Sequence, residues 1–172
     1  MLIRAYRPGE EAALREVFRS SVHQRARRNY SAEQLDAWAP LEYDQDWWNN
    51  RIRGNRPFVA EIDGRIAGYA DLQDSGYIDQ FFVAGGHTGH GVGSALMRHL
   101  LAEATRRRIG GLFADVSLTA ESFFARHGFT VETRRQVVVR GVTLANARMR
   151  RTAPEPPVAR SGQYQQDEEP PA

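Results

Sequence analysis

The 172-residue chain has no cysteine and no lysine, so its 23 basic residues are all arginine. Without thiols there are no disulfides, no thiolate metal site and no cysteine nucleophile, and any catalysis must use other groups. Without lysine there is no GxxxxGK[ST] loop, whose lysine reaches the terminal phosphates of a nucleotide. No run approaches the roughly 18 consecutive apolar residues of a membrane span, and Met1 leads into an apparent strand instead of a signal peptide. A soluble cytoplasmic protein with no membrane partner is therefore expected. Histidine is sparse too, and His87, His90, His99 and His127 do not form a metal-binding spacing, so no metal is expected.

Proline is concentrated at one end. Five of the eight prolines lie in TAPEPPVARSGQYQQDEEPPA, a stretch with little to bury. One folded domain over residues 1–151 followed by a disordered, acidic, Pro-rich tail over 152–172 is expected. Charge divides the same way: 22 Arg face 17 Asp and Glu up to residue 151, and 1 faces 4 beyond it, so +5 and −3 recover the overall +2. An all-arginine basic set suggests a compositionally biased genome. The clusters HQRARR (23–28), RRR (106–108) and RR (134–135) are dispersed and read as solvated faces, so no nucleic-acid partner is expected.

What the chain does have is a glycine-rich loop in an informative place. In YIDQFFVAGGHTGHGVGSALM (77–97) an apolar strand runs into glycines at 89, 91 and 93 and then directly into an amphipathic helix. Uncovered backbone amides, the unpaired donors of a helix start and the helix dipole together favour an anion. The dinucleotide fingerprint GxGxxG fails, because Ser94 or Leu96 stands where its third glycine would be.

Turn and cap signals give the rest of the order. Leu2 to Tyr6 reads as a strand, and a helix begins at Pro8-Gly9-Glu10-Glu11 and runs to about Val22. Ser31 with Gln34 forms a capping-box pattern for a short helix stopped by Pro40, and Asp44 to Arg53 reads as another. Strands Pro57 to Ile62 and Arg65 to Gln73 flank Asp63-Gly64, a hairpin signal, and Ser75-Gly76 leads into a third strand, Tyr77 to Val83. The helix Val92 to Arg107 carries Val92, Leu96, Leu100 and Ala104 on one stripe, with Ala95 beside it. It returns to a parallel strand, Leu112 to Ser117. Thr119 is expected to cap a helix ending at Gly128, before strands near Thr130 to Arg140 and Thr143 to Arg150. The fold class is α/β of the α+β type: a mixed, mainly antiparallel sheet of about seven strands flanked by helices.

The segment Thr88-Gly89-His90-Gly91-Val92-Gly93 fits Q/R-x-x-G-x-G/A at both glycines, after a strand ending in valine. Here the chain resembles the GNAT superfamily of acyl-CoA-dependent N-acetyltransferases, in which this loop binds the pyrophosphate of coenzyme A. LIRAY, FVAEIDGRIAGYADL, GLFADVS and ESFFARHGF extend the resemblance over nearly the whole chain. Thr88 replaces the family's Gln or Arg, Gly85 replaces a frequent proline, and Phe124 stands where many members carry a tyrosine that protonates the departing thiolate.

The resemblance implies acetyl-CoA as co-substrate, held by Thr88, Gly89, His90, Gly91, Val92, Gly93 and Ser94 and by the backbone of Phe81, Phe82 and Val83. It implies acetyl transfer to a primary amine of a small molecule or peptide by direct attack, with a backbone N–H of Phe82 or Val83 stabilising the oxyanion. Dimers are common in that family. Arginines near the cofactor phosphates are a sharper reading of the basic clusters. For the base, Asp79 comes first, since even spacing puts it on the face of Phe81 and Val83. Asp115 comes second, Asp71 and Glu61 follow, and an arginine pair would give Asp79 or Asp115 a structural role instead. Tyr77, Ser122 or water could replace the missing tyrosine. Tyr30, Trp38 and Trp47, with Tyr43 and Trp48, suggest a partly apolar acceptor pocket, and Glu42, Asp44 and Asp46 could attract a cationic amine. The alternative is a non-catalytic acyl-CoA-binding or regulatory domain, motivated by Phe124.

Overall fold

The computed structural model describes residues 1–152, so the tail expected beyond Arg151 lies, apart from Thr152, outside the described residues. The chain begins with β1 (Leu2–Ala5), α1 (Glu11–Arg25), α2 (Ala32–Trp38) and α3 (Gln45–Asn55). Strands β2 (Phe58–Ile62), β3 (Arg65–Ala70), β4 (Tyr77–Ile78) and β5 (Phe81–Val83) follow. Then come α4 (Val92–Arg106), β6 (Gly111–Ser117), α5 (Glu121–Arg126), β7 (Thr130–Val139) and β8 (Val142–Thr152). The sheet is mixed and mainly antiparallel, as expected, but it divides into two four-stranded halves, β1-β2-β3-β5 and β4-β6-β8-β7.

Local chemistry explains most boundaries. Ser31 and Gln34 form the reciprocal capping box at the start of α2, and Asp63-Gly64 turns the β2–β3 hairpin with φ of +49° and +73°, as a type I′ turn requires. Helix α1 starts later than expected, at Glu11. The Glu11 carboxylate accepts bonds from the Tyr6 hydroxyl, the Gly9 amide and Arg53, each at 2.8 Å. Burial by itself would raise that carboxyl, yet these donors bring it down to about 2. Thr119 does not cap α5, whose N-cap is Ala120; the Thr119 hydroxyl donates instead to Asn29 Oδ1 at 2.9 Å.

Two apolar layers sandwich the first half-sheet. In-register partners Val59 and Tyr69 face α1, α2 and α3, whereas Ala60, Ala67 and Ala70 face α4, whose expected stripe is buried. Gly68 permits the close approach, because a Cβ there would lie 2.9 Å from the Phe82 carbonyl oxygen and 3.0 Å from Val92.

The expected strand Tyr77 to Val83 is broken, and this break makes the site. Its first part, β4, pairs in parallel with β6 at Phe113 and Ala114; its second part, β5, pairs antiparallel with β3. Between them Asp79 and Gln80 form a kink. The fully buried Asp71 carboxylate holds it by accepting the Gln80 amide at 2.6 Å and the Gln73 side-chain amide.

Candidate functional site

Beyond the kink, β5 and β6 diverge, and a cavity of about 530 Å³ opens between them. The hydrogen-bond phase of β5 decides which backbone groups face it. Asp71 N donates to Gln80 O and Ala84 N donates to Ala67 O, so residues 80, 82 and 84 spend their polar groups on β3. By alternation the N–H and C=O of Phe81 and Val83 point at the open side. This assigns the free amide to Val83 rather than to Phe82.

At the floor of the same cavity lies the glycine loop. Gly89 and Gly91 adopt φ of +81° and +76°, and Gly91 is the N-cap of α4. Among the described residues the amides of 89–94 have no protein acceptor, which gives the loop a concentration of free N–H groups at a helix start. Thr88, Gly89, Gly91, Val92, Gly93 and Ser94 line the cavity, whereas the exposed His90 side chain does not, so its contribution reduces to its amide. The Arg25 guanidinium donates to the Thr88 hydroxyl at 2.9 Å and lines the cavity with His87 and Arg126. Residue type could not single out Arg25 within HQRARR; its place at the end of α1, over the loop, does.

Both candidate bases reach the cavity wall, and both are paired with arginine. Asp79 accepts from Arg51 Nε at 2.9 Å, Arg51 Nη2 at 2.8 Å and Asn55 at 2.6 Å. The kink overturns the even-spacing argument. Ile78 and Phe81 share the α4-side core, so Asp79 is turned the other way, toward α3. Asp115 accepts from Arg135 at 2.6 Å and from Arg148 at 2.7 and 3.0 Å. Burial alone would raise the Asp115 carboxyl, but Arg148 and then Arg135 hold it below the usual carboxylate range. Asp71 is pushed up to about 6, first by burial, yet it is sealed away from the cavity, and Glu61 is taken by Arg4 at 2.8 Å.

Tyr77 is not in the wall. Its ring stacks on Phe113 at 5.2 Å, and burial pushes its hydroxyl up to about 12, so it is a poor proton donor in the wrong place. Ser122 and the buried Phe124 do line the cavity. Of the aromatic residues assigned to an acceptor pocket, only Trp38 lines it. Tyr30 is buried, donates to Ala145 O at 2.6 Å and accepts from Leu118 N at 2.9 Å, which ties the segment leading into α2 to the second half-sheet. Trp47 is 55% exposed and lies against Arg51, outside the cavity. Trp48 is buried and donates to Glu11 O at 2.7 Å. Asp44 caps α3 through the Trp47 amide, so its place needs no cationic substrate.

Among the described residues no group of His, Asp and Glu is arranged to hold a metal ion, and no helix is long and apolar enough to cross a membrane.

Known proteins share this fold. Residues 26–151 match the family model described as an acetyltransferase (GNAT) domain. The chain is 33% identical over 148 residues to the uncharacterized N-acetyltransferase YafP of Escherichia coli strain K12, covering 86% of this chain and 93% of that one. Among solved structures it resembles a GCN5-related N-acetyltransferase of Rhodopseudomonas palustris, with a TM-score of 0.84, 31% identity, and coverage of 88% of this chain and 95% of that one. The PaiA N-acetyltransferase of Thermoplasma acidophilum, solved with coenzyme A, shares the fold at a TM-score of 0.69 and 18% identity, covering 88% and 98%.

Proposed function

The chain belongs to the GNAT acetyltransferase family, and from that premise we propose that it transfers an acetyl group from acetyl-CoA to a primary amine of a small molecule or peptide, by direct attack in a ternary complex. The observation that carries this reading is the cleft itself, where the free amides of 89–94 share one cavity with the unpaired edge of β5. Amides 89–94 and Arg25 suit a pyrophosphate, and the exposed edge of Phe81 and Val83 suits an extended amide-bearing arm laid alongside as an added strand.

The Val83 N–H is aimed at the open side of β5, where a thioester carbonyl oxygen gains negative charge. The amine nitrogen forms the new C–N bond, the C–S bond breaks, and the amine proton leaves through water to Asp79. Asp79 is the better placed of the two carboxylates because it lies at the kink beside β5 and pairs with one arginine, Arg51, whereas Asp115 pairs with two, Arg135 and Arg148. The sulfur takes a proton from solvent, either from a water beside Ser122 or through the Ser122 hydroxyl, which that water reprotonates, since Phe124 has none to give and Tyr77 is out of reach.

A second reading, a non-catalytic acyl-CoA-binding domain, draws on Phe124 and on the arginine pairing of both carboxylates. Thiol release from acetyl-CoA on addition of an amine panel separates the two. Amine-dependent release supports the transferase, and tight acetyl-CoA binding with no release from any amine supports the second reading.

A further inference from the structure

The α1 side of the molecule contains a buried cation without a counter-ion. Arg15 is 5% exposed and its guanidinium sits 4.2 Å from the Tyr43 ring centroid, 5.0 Å from Phe18 and 5.2 Å from Trp48. One nitrogen donates to Pro40 O at 2.6 Å, and Nε is buried with no acceptor. One turn along α1, Arg19 Nε is also buried and unpartnered. Among the described residues no carboxylate lies within ion-pairing distance of either guanidinium, and beside the Tyr43 and Tyr69 hydroxyls the groups bearing on Arg15 include Arg140 and Arg19, of like sign. Tyr69, fully buried and close enough to Arg15 to feel its charge, has an unpartnered hydroxyl.

Folded proteins rarely bury a charge without a partner, because the desolvation cost is several kcal/mol. Here the unsatisfied atoms are all N–H or O–H groups, which can donate, and the net charge is positive, so the missing partner is an anionic acceptor of hydrogen bonds. The cluster also adjoins the cleft. Phe18, which touches Arg15, packs edge-on against Phe82 at 4.8 Å and against Trp38 at 6.5 Å, and both of those rings line the cavity.

We propose that the acceptor amine carries a carboxylate-class anionic group and that Arg15, assisted by Arg19, pairs with that group while the amine reaches β5 beside Phe82. This rests on the acetyltransferase reading and narrows its acceptor to amino acids and related amino carboxylates. The segment 39–44, which roofs the guanidinium with the Pro40 carbonyl and the Tyr43 ring, gives way for the anion. The carboxylate then takes the place of the Pro40 carbonyl and satisfies Nε.

The test uses the full chain saturated with coenzyme A, titrated with a panel of N-acetyl amino acids and their uncharged amides, and read by tryptophan fluorescence, since Trp48 stands against Arg15. Saturable binding at least about tenfold tighter for the carboxylates, lost in Arg15→Met and weakened in Arg19→Gln, is expected. Equal binding of acids and amides, no saturable binding of either, or an unchanged preference in a folded Arg15→Met overturns the assignment. Coenzyme A affinity, measured first in the same samples, separates this failure from failure of the acetyltransferase reading. Phosphonate analogues added as a further arm distinguish a carboxylate pocket from one that accepts any oxyanion.

Discussion

On its α4 side the cleft presents backbone, namely the amides of 89–94 and the edge of β5; on its α1 side it presents side chains, Trp38 and Phe82, backed by Phe18 and then by Arg15. The two walls obey different rules. A wall of amides needs only the right φ and ψ, so Thr88 and Gly85 can replace the residues usual at those positions without altering the donors. A wall of side chains depends on each residue and its partner, and there the type of residue alone says little about its role. On the proposed reading the α4 wall takes the acetyl-CoA and the α1 wall selects the acceptor.

The largest expected effect breaks the backbone wall. Gly91→Glu places a side chain at φ of +76° and a negative charge over the free amides, and acetyl-CoA affinity should fall by about 10² to 10³ (roughly 3 to 4 kcal/mol), measured by calorimetry on folded protein. On the other wall, Asp79→Asn should lower turnover by about 10² while leaving acetyl-CoA affinity unchanged. Wild-type turnover in that variant would make Asp79 an anchor for Arg51 and Asn55 only.

Smaller effects sharpen the distinction between wall and scaffold. The raised Asp71 carboxyl holds its proton longer in the folded state than in the unfolded one, where its value is about 3.9, so its contribution lowers stability as pH rises from about 4 to about 6 and is constant above. Asp71→Asn should flatten this window by on the order of 2 kcal/mol in denaturant titrations at pH 4 and 6.5. Tyr30→Phe should cost about 1 kcal/mol or somewhat more, because the Leu118 amide loses its acceptor, with no change in the Michaelis constant for either substrate.

How much could be read from the residues follows the same division. Periodicity and turn chemistry located the α4 stripe, the Ser31 capping box and the Asp63-Gly64 turn, because each is a local signal. The conformation of the glycine loop was legible because free amides at a helix start depend on backbone angles, which the glycines at 89 and 91 signal. The kink at Asp79-Gln80 was not, since it is imposed by a buried carboxylate eight residues upstream of Asp79, and it reversed the face assigned to Asp79. Tyr30 and Trp47 were misplaced for a related reason. A segment rich in aromatic rings does not reveal which ring meets the cleft and which ties the chain to the sheet, as Tyr30 does across 115 positions to Ala145.

The most direct test of the cleft's assignment is calorimetric titration of the wild-type protein with acetyl-CoA, with ATP and NAD as controls. Selective micromolar binding of acetyl-CoA, abolished by Gly91→Glu, is the predicted result. Absence of binding, or equal binding of all three ligands, would contradict it.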